Sequence, residues 1–299
     1  METAKALESF LRAHSEEPIS APKRLGGGYY ADVYLVQCGK EGPTVLKAYK
    51  QAGVMQAEIT QLRLLREHAV VPMPRVLWTH EADAALSFDV LAMDFLPGTN
   101  GGAVRYFSRR KRECLAEQIV DILLHFHAVQ SPDGFGEIGS NTRYATFQDY
   151  YKPRAASILE TASELNMPEA VFATAKAAFE QFDSIFYLPI ERASLLHGDY
   201  NMWNILVDKA ACKVTAVIDP CNGCWADSEM DLYQLNNANG RHFRLLETYA
   251  KKKPLSENFA QKNAFYELFT ELEHYARSGV PVSAKRVTGQ AKALKAFLR

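Results

Sequence analysis

An acid, an amide and a second acid stand at the ends of two short apolar segments in the middle of this chain. Leu195-Leu196 lead into His197-Gly198-Asp199; Asn204 follows five residues after Asp199, and Ile205-Leu206-Val207 continue as a β-prone run. After a turn near Lys209 to Lys213, Val214-Thr215-Ala216-Val217-Ile218 form a second apolar strand that ends in Asp219. A carboxylate at a strand end can take a proton from a hydroxyl or ligate a hard cation, and an amide can share that ion through a neutral oxygen. One Asp and one Asn at this spacing arise often by chance in polar loops. The strand, turn, strand and Asp219 that follow give the pattern its weight.

The elements that must position these groups begin near the N-terminus. Residues from about Thr3 to His14 form a short amphipathic helix. Gly26-Gly27-Gly28 are followed by Tyr29-Tyr30-Ala31-Asp32 and then by the alternating run Val33, Tyr34, Leu35. A dinucleotide-binding turn needs a helix after its glycines. A strand follows here, which favours a hairpin flap over phosphates, with a plain Gly-rich turn as the simpler alternative. Thr44-Val45-Leu46-Lys47 is a strand ending in one Lys, and Lys50 competes with Lys47 for any ligand role. A helix runs from about Val54 to Arg66 with Leu62 and Leu65 at helical spacing and Glu58 on its early turns. Two strand-like runs follow, Arg75 to Trp78 and Ser87 to Phe95, the second closing on Met93-Asp94-Phe95-Leu96-Pro97-Gly98. Pro-Gly after a strand marks a boundary, so lobes are expected at 1–97 and 98–299.

The second part reads as mostly helical. A helix spans Glu113 to Val129, with His125 and His127 as packing residues rather than metal ligands. Two helices lie between Phe147 and Phe182 with a break near Pro168. Phe265, Leu268, Phe269, Leu272 and Tyr275 share one helical face, with Glu267, Glu271 and Glu273 elsewhere on that helix, either solvated or facing a cleft. Lys285 to Arg299 form a basic amphipathic tail.

The chain has 299 residues, enough for two lobes with sizeable cores. Its net charge of -1 makes no electrostatic case for nucleic acid or an anionic membrane. No stretch approaches the roughly 18–20 apolar residues of a membrane span, and Met1 to Glu8 lack a signal-peptide core. Five cysteines at irregular spacing argue against a disulfide framework, so a cytoplasmic protein is expected. Cys221 and Cys224 form a C-x-x-C, but no second pair completes a zinc set.

Taken together, the Gly loop, Lys47, Glu58, His197-Gly198-Asp199 with Asn204, and Asp219 resemble the aminoglycoside phosphotransferase superfamily of protein-kinase-like enzymes. Leu195 to Asp199, Asp219-Pro220, Trp225-Ala226-Asp227-Ser228-Glu229-Met230-Asp231-Leu232 and the helix ending near Gly279 resemble its fructosamine kinase branch. That branch usually carries Trp two residues after the catalytic Asp, where this chain has Asn201. The resemblance implies an α+β, two-lobed fold: a small antiparallel sheet with one main helix, then a larger helical lobe. It implies an ATP- and Mg²⁺-dependent kinase acting on a hydroxyl of an amine-bearing sugar or alcohol. Asp199 would be the catalytic base. Gly26, Gly27, Gly28, Val33, Lys47 and Glu58 would serve the nucleotide, with adenine held by the hinge residues Met93, Asp94, Phe95 and Leu96. Asn204 and Asp219 would bind the metal, and Asp231 would brace the catalytic loop. Trp225, Asp227 and Glu229 would meet the amine of the acceptor. Only twelve positions separate Asp219 from Asp231, with no A-P-E motif, so the acceptor is expected to be a small molecule rather than a protein. A non-catalytic nucleotide-binding regulator is the alternative; it would be expected to lack at least one of Lys47, Asp199, Asn204 and Asp219.

Overall fold

The computed structural model describes residues 2–15, 18–38, 42–106, 108–165, 167–279 and 283–298; Arg299 of the expected tail lies outside the described residues. Helix α1 (Glu2–His14) precedes strands β1 (Lys23–Gly27), β2 (Ala31–Cys38) and β3 (Gly42–Tyr49), helix α2 (Val54–Glu67), and strands β4 (Val76–His80) and β5 (Val90–Asp94). The five strands form one antiparallel sheet in the order β1-β2-β3-β5-β4. Successive residues of a strand face opposite sides. Leu46 and Ala48 of β3 therefore pack with Leu7 and Leu11 of α1, while Tyr49 turns to the side of α2, where Met55, Ile59 and Leu62 are buried. Lys47 shares the side of Tyr49 and so faces α2. The amphipathic N-terminal helix thus has a specific partner, the outer face of the sheet.

The remainder runs β6 (Thr99–Asn100), α3 (Arg109–Ala128), β7 (Gly136–Glu137), α4 (Phe147–Ser163), α5 (Glu169–Glu180), α6 (Phe182–Ile185), β8 (Ser194–Leu195), β9 (Ile205–Asp208), β10 (Lys213–Val217), β11 (Cys224–Ala226), α7 (Gly240–Phe243), α8 (Leu245–Lys252), α9 (Phe259–Ser278) and α10 (Ala284–Lys295). The architecture is a sheet lobe followed by a mostly helical remainder. The break near Pro168 falls where expected, between α4 and α5. Rings of α4, α6 and α9 make one aromatic core, in which Phe182 and Phe186 stack at 4.4 Å and Phe265 and Phe269 at 3.9 Å. Two small sheets, β10-β9-β6 and β7-β11-β8, carry the central motif. No helix among the described residues is long and apolar enough to cross a membrane.

Leu7 is fully buried between α1 and the sheet. Leu7→Ala removes those contacts and leaves a cavity, with an expected loss of about 2–5 kcal/mol. Urea unfolding should show this loss, while kcat of any activity stays unchanged because α1 lies on the side of the sheet away from Lys47.

Candidate active site

The buried pair Leu195-Leu196 delivers the chain to His197 and Asp199. The turn there needs glycine twice over. Gly198 has φ +79°, and a Cβ would lie 2.0 Å from the carbonyl oxygen of Cys221. The turn is pinned from behind by Asp231, which is 1% exposed: its two oxygens accept from the backbone N–H groups of His197 at 3.0 Å and Gly198 at 2.9 Å. His127 of α3 supports that carboxylate, with Nε2 3.3 Å from Asp231 Oδ2 and Nδ1 2.9 Å from the Tyr249 hydroxyl. Asp231 therefore sits where a brace of the loop must sit.

Asp199 is surrounded by amides. Its Oδ1 accepts from Asn201 Nδ2 and Gln234 Nε2, both at 2.7 Å, and its Oδ2 accepts from Asn204 Nδ2 at 2.8 Å. Burial, then the charge of Asp219, pushes the Asp199 carboxyl up to about 8, against the lowering effect of the amide hydrogen bonds. Asn201 also accepts from Trp203 N–H at 2.9 Å, which starts the single turn Met202–Asn204 that aims Asn204 back at Asp199. Asn201, standing where the fructosamine kinase branch usually has Trp, thus donates to the Asp199 carboxylate. Trp203 is 53% exposed and lies over Gly102, where a Cβ would come within 2.4 Å of its ring.

Lys47 joins the two halves of the cleft. Its ammonium donates to Glu58 Oε1 at 2.6 Å and to Asp219 Oδ1, and Tyr49 donates to Glu58 Oε2 at 2.7 Å. Burial works to lower the Lys47 pKa, but the carboxylates of Asp219 and Glu58 outweigh it and raise it. Lys50, the competing cation, instead bonds the carbonyl of Gly28 at 2.8 Å on the exposed side of the flap. Asp219 leaves its strand with φ +60°, a left-handed conformation that is costly for a residue with a Cβ and typical of functional turns.

A cavity of 410 Å³ collects these groups: Gly27, Gly28, Val33, Lys47, Glu58, Asp199 and Asp219 all line it. Gly26, Asn204 and the hinge residues Met93, Asp94, Phe95 and Leu96 are not on its walls. Asn204 adjoins it through Asp199 and the backbone carbonyl of Asp219. Asp94 is turned to Arg75, accepting from its backbone N–H at 2.6 Å and its Nε at 2.8 Å.

The three residues expected to meet the acceptor amine are elsewhere. Asp227 and Glu229 are buried and share the ammonium of Lys262, each at 2.8 Å. Asp227 also accepts from the Tyr266 hydroxyl at 2.8 Å, and Glu229 from the backbone N–H and hydroxyl of Ser256, each at 2.6 Å. Trp225 lies within β11, between β7 and β8. Asp227 and Glu229 tie α9 to the segment that holds Asp231, with the Lys262 charge offsetting the cost of burying two carboxylates. Of the acids on α9, Glu271 faces the cleft, Glu273 accepts through both carboxylate oxygens from Arg154 Nη2 at 2.9 Å, and Glu267 accepts from Gln290.

The donors present suit a magnesium ion. Asp219 and Asn204 offer oxygen only, and no group of three or more His, Cys, Asp or Glu able to hold an ion exists among the described residues. An ion here must complete its shell from phosphate oxygens and water, which is how Mg²⁺ is commonly held. Gln234, a ligand of Asp199, had no signal in the sequence: nothing in its local pattern distinguishes it from any polar residue in a helical turn.

His197 is completely buried, makes no hydrogen bond through either ring nitrogen, and is pushed down by burial to about 4. The unfolded state therefore binds more protons between the two pKa values, and stability is lost as pH falls from about 6.5 toward 4. From pH 7 to pH 5 this one group should cost about 2 kcal/mol. Urea unfolding of the wild type and of His197→Phe at both pH values checks this: the variant should lose that share of the pH dependence.

A family model described as "Phosphotransferase enzyme family" matches residues 22–252. Among curated relatives, "Probable ketoamine kinase YniA" of Escherichia coli (strain K12) is 29% identical over 227 residues, covering 72% of each chain. "Uncharacterized protein YcbJ" of the same strain is 23% identical over 246 residues, covering 81% of each. Among solved structures, aminoglycoside phosphotransferase APH(4)-Ia aligns with a TM-score of 0.77 at 18% identity, covering 99% of this chain and 100% of that one, which establishes the shared kinase-like fold. With most of its length matched and the fold shared, this chain belongs to the phosphotransferase enzyme family.

Proposed function

We propose that this chain is an ATP- and Mg²⁺-dependent kinase that transfers a γ-phosphate to a hydroxyl of a sugar or alcohol of the ketosamine or aminoglycoside kind. One observation carries the reading: Asp199, Lys47, Glu58 and Asp219 line a single cleft, in which two of the acids, Glu58 and Asp219, pair with the Lys47 ammonium. Phosphoryl transfer asks a protein mainly for positioning and charge neutralisation. Lys47, fixed by Glu58, would hold the α- and β-phosphates beneath the backbone of Gly27 and Gly28. Asp219 and Asn204 would hold Mg²⁺, which supplies neutralisation of charge between the β- and γ-phosphates. The names of the relatives support a sugar-like acceptor. The reading does not depend on an amine, since Asp227 and Glu229 are already neutralised by Lys262.

The hydrogen bonds of Asp199 indicate which oxygen acts. A carboxylate oxygen has two lone-pair sites. Oδ1 already receives two amide donors, whereas Oδ2 receives only Asn204, so one site remains on Oδ2 for the acceptor hydroxyl. As the acceptor oxygen bonds to the γ-phosphorus and the bond to the β-phosphate oxygen breaks, the hydroxyl proton passes to Oδ2. A carboxyl raised to about 8 is a stronger base than an ordinary Asp and is suited to that transfer.

Asp199→Asn removes the proton acceptor. Turnover, read as ADP release in the presence of acceptor, should fall by about 10²–10⁴-fold. Binding of Mg-ATP, read by thermal shift or calorimetry, should persist. Retained turnover would remove Asp199 from this role.

A further inference from the structure

The other wall of the cleft is built from the flap tip and the two last helices. Tyr30 donates to or accepts from His274 Nδ1 at 2.9 Å, and Tyr29 stacks on the same ring at 5.4 Å with only 7° between planes. Arg277, one turn further along α9, lies over the Tyr30 ring at 5.3 Å and donates to the amide oxygen of Asn222 at 2.5 Å. Its charge has no carboxylate partner: among the described residues Arg277 makes no ion pair. The nearest acids are taken, since Glu273 is held by Arg154 and Glu271 by Arg286. No free carboxylate remains on this wall for a cationic amine, whereas one guanidinium remains with most of its five donors unused.

We propose that the acceptor carries an anionic group, a carboxylate or a phosphate, beside the hydroxyl it offers to Asp199, and that Arg277 binds this group and so determines specificity. The inference rests on the kinase reading above. A guanidinium pairs with either oxyanion through two parallel N–H···O bonds. The Tyr30 ring, 5.3 Å from the guanidinium carbon, makes a cation–π contact that helps to keep the fork at the cleft wall. Asn222, a neutral partner, keeps the fork in place at little electrostatic cost to an incoming anion. A second anion beside the triphosphate also needs a cation of its own, because in the proposed reading Lys47, fixed by Glu58, serves the α- and β-phosphates.

The test uses the full chain with Mg-ATP and matched acceptor pairs: gluconate and glucitol, glucose 6-phosphate and glucose, fructosyl-glycine and fructosyl-glycinamide. The expected result is at least one pair in which the anionic member has a kcat/KM about tenfold or more above its neutral partner. Arg277→Gln should then raise KM for that anionic acceptor by about 10–100-fold, leave kcat within a few-fold, leave KM for ATP within about twofold, and abolish the preference within the pair. Carboxylate and phosphate sources are told apart by which pair responds. The proposal is overturned if no anionic member outperforms its neutral partner, including the case in which none is turned over. It is equally overturned if Arg277→Gln raises KM for ATP instead of the acceptor. Mg-ATP binding and slow, Asp199-dependent release of ADP to water are measured alongside. If both persist while the pairs show no preference, the anionic acceptor alone is wrong; if both are absent, the kinase reading has failed with it.

Discussion

The ammonium of Lys47 is the charge on which the cleft depends. It is 8% exposed and bonded to Glu58 from α2 and to Asp219 from the far side of the cleft, so three separate stretches of chain converge on one buried cation. Removing one member of such a group leaves an unpaired charge away from water, which is far more costly than the group as a whole is favourable. The group therefore contributes more to registry than to stability: it fixes the sheet against α2 and the end of β10 against the sheet. It also leaves the cleft with more acids than cations, a condition that favours the arrival of a metal ion and a nucleotide together.

Behind that cation, a second set of buried charges holds the loop that carries Asp199. Asp231 takes the two backbone N–H groups of the His197-Gly198 turn, and His127 and Tyr249 hold Asp231. One layer deeper, Lys262 joins Asp227 and Glu229 to α9. The backbone of the turn is satisfied by Asp231, although the ring of His197 within it is not hydrogen-bonded. Asp199 keeps one lone-pair site unfilled on Oδ2 and holds its proton more tightly than an ordinary Asp. An incompletely satisfied carboxylate is where a substrate hydroxyl can be accepted.

The residues that were misplaced by sequence reasoning share one cause. Trp225, Asp227 and Glu229 lie in a motif with several acids close to the catalytic stretch, and nothing in the chain before them reveals a buried Lys on α9, more than thirty residues later, that neutralises both carboxylates. The reverse error concerns Arg277 and Gln234, whose surroundings in sequence are ordinary helix. Gln234 meets Asp199 across 35 residues, and Arg277 meets Asn222 across 55. Contacts of that separation are decided by how helices pack, which local pattern does not encode.

What the amino-acid sequence by itself determined was the chemistry and its order. Glycines followed by an alternating run favour a hairpin flap over a dinucleotide turn, an apolar lead-in with His-Gly-Asp points to an acid at a turn, and the apolar runs around Asn204 and Asp219 read as two strands with polar ends. These are short-range facts, governed by backbone sterics and by the period of each element. Tertiary structure alone decided which carboxylates remain free. Lys47 rather than Lys50 meets Glu58 because strand alternation is combined with the side on which α2 packs. Glu271, Glu273, Asp227 and Glu229 are all neutralised by cations from other elements, while among the described residues Arg277 makes no ion pair. Charge pairing is a property of positions in space, so the character of the acceptor wall emerges only once α9 and α10 are folded against the flap.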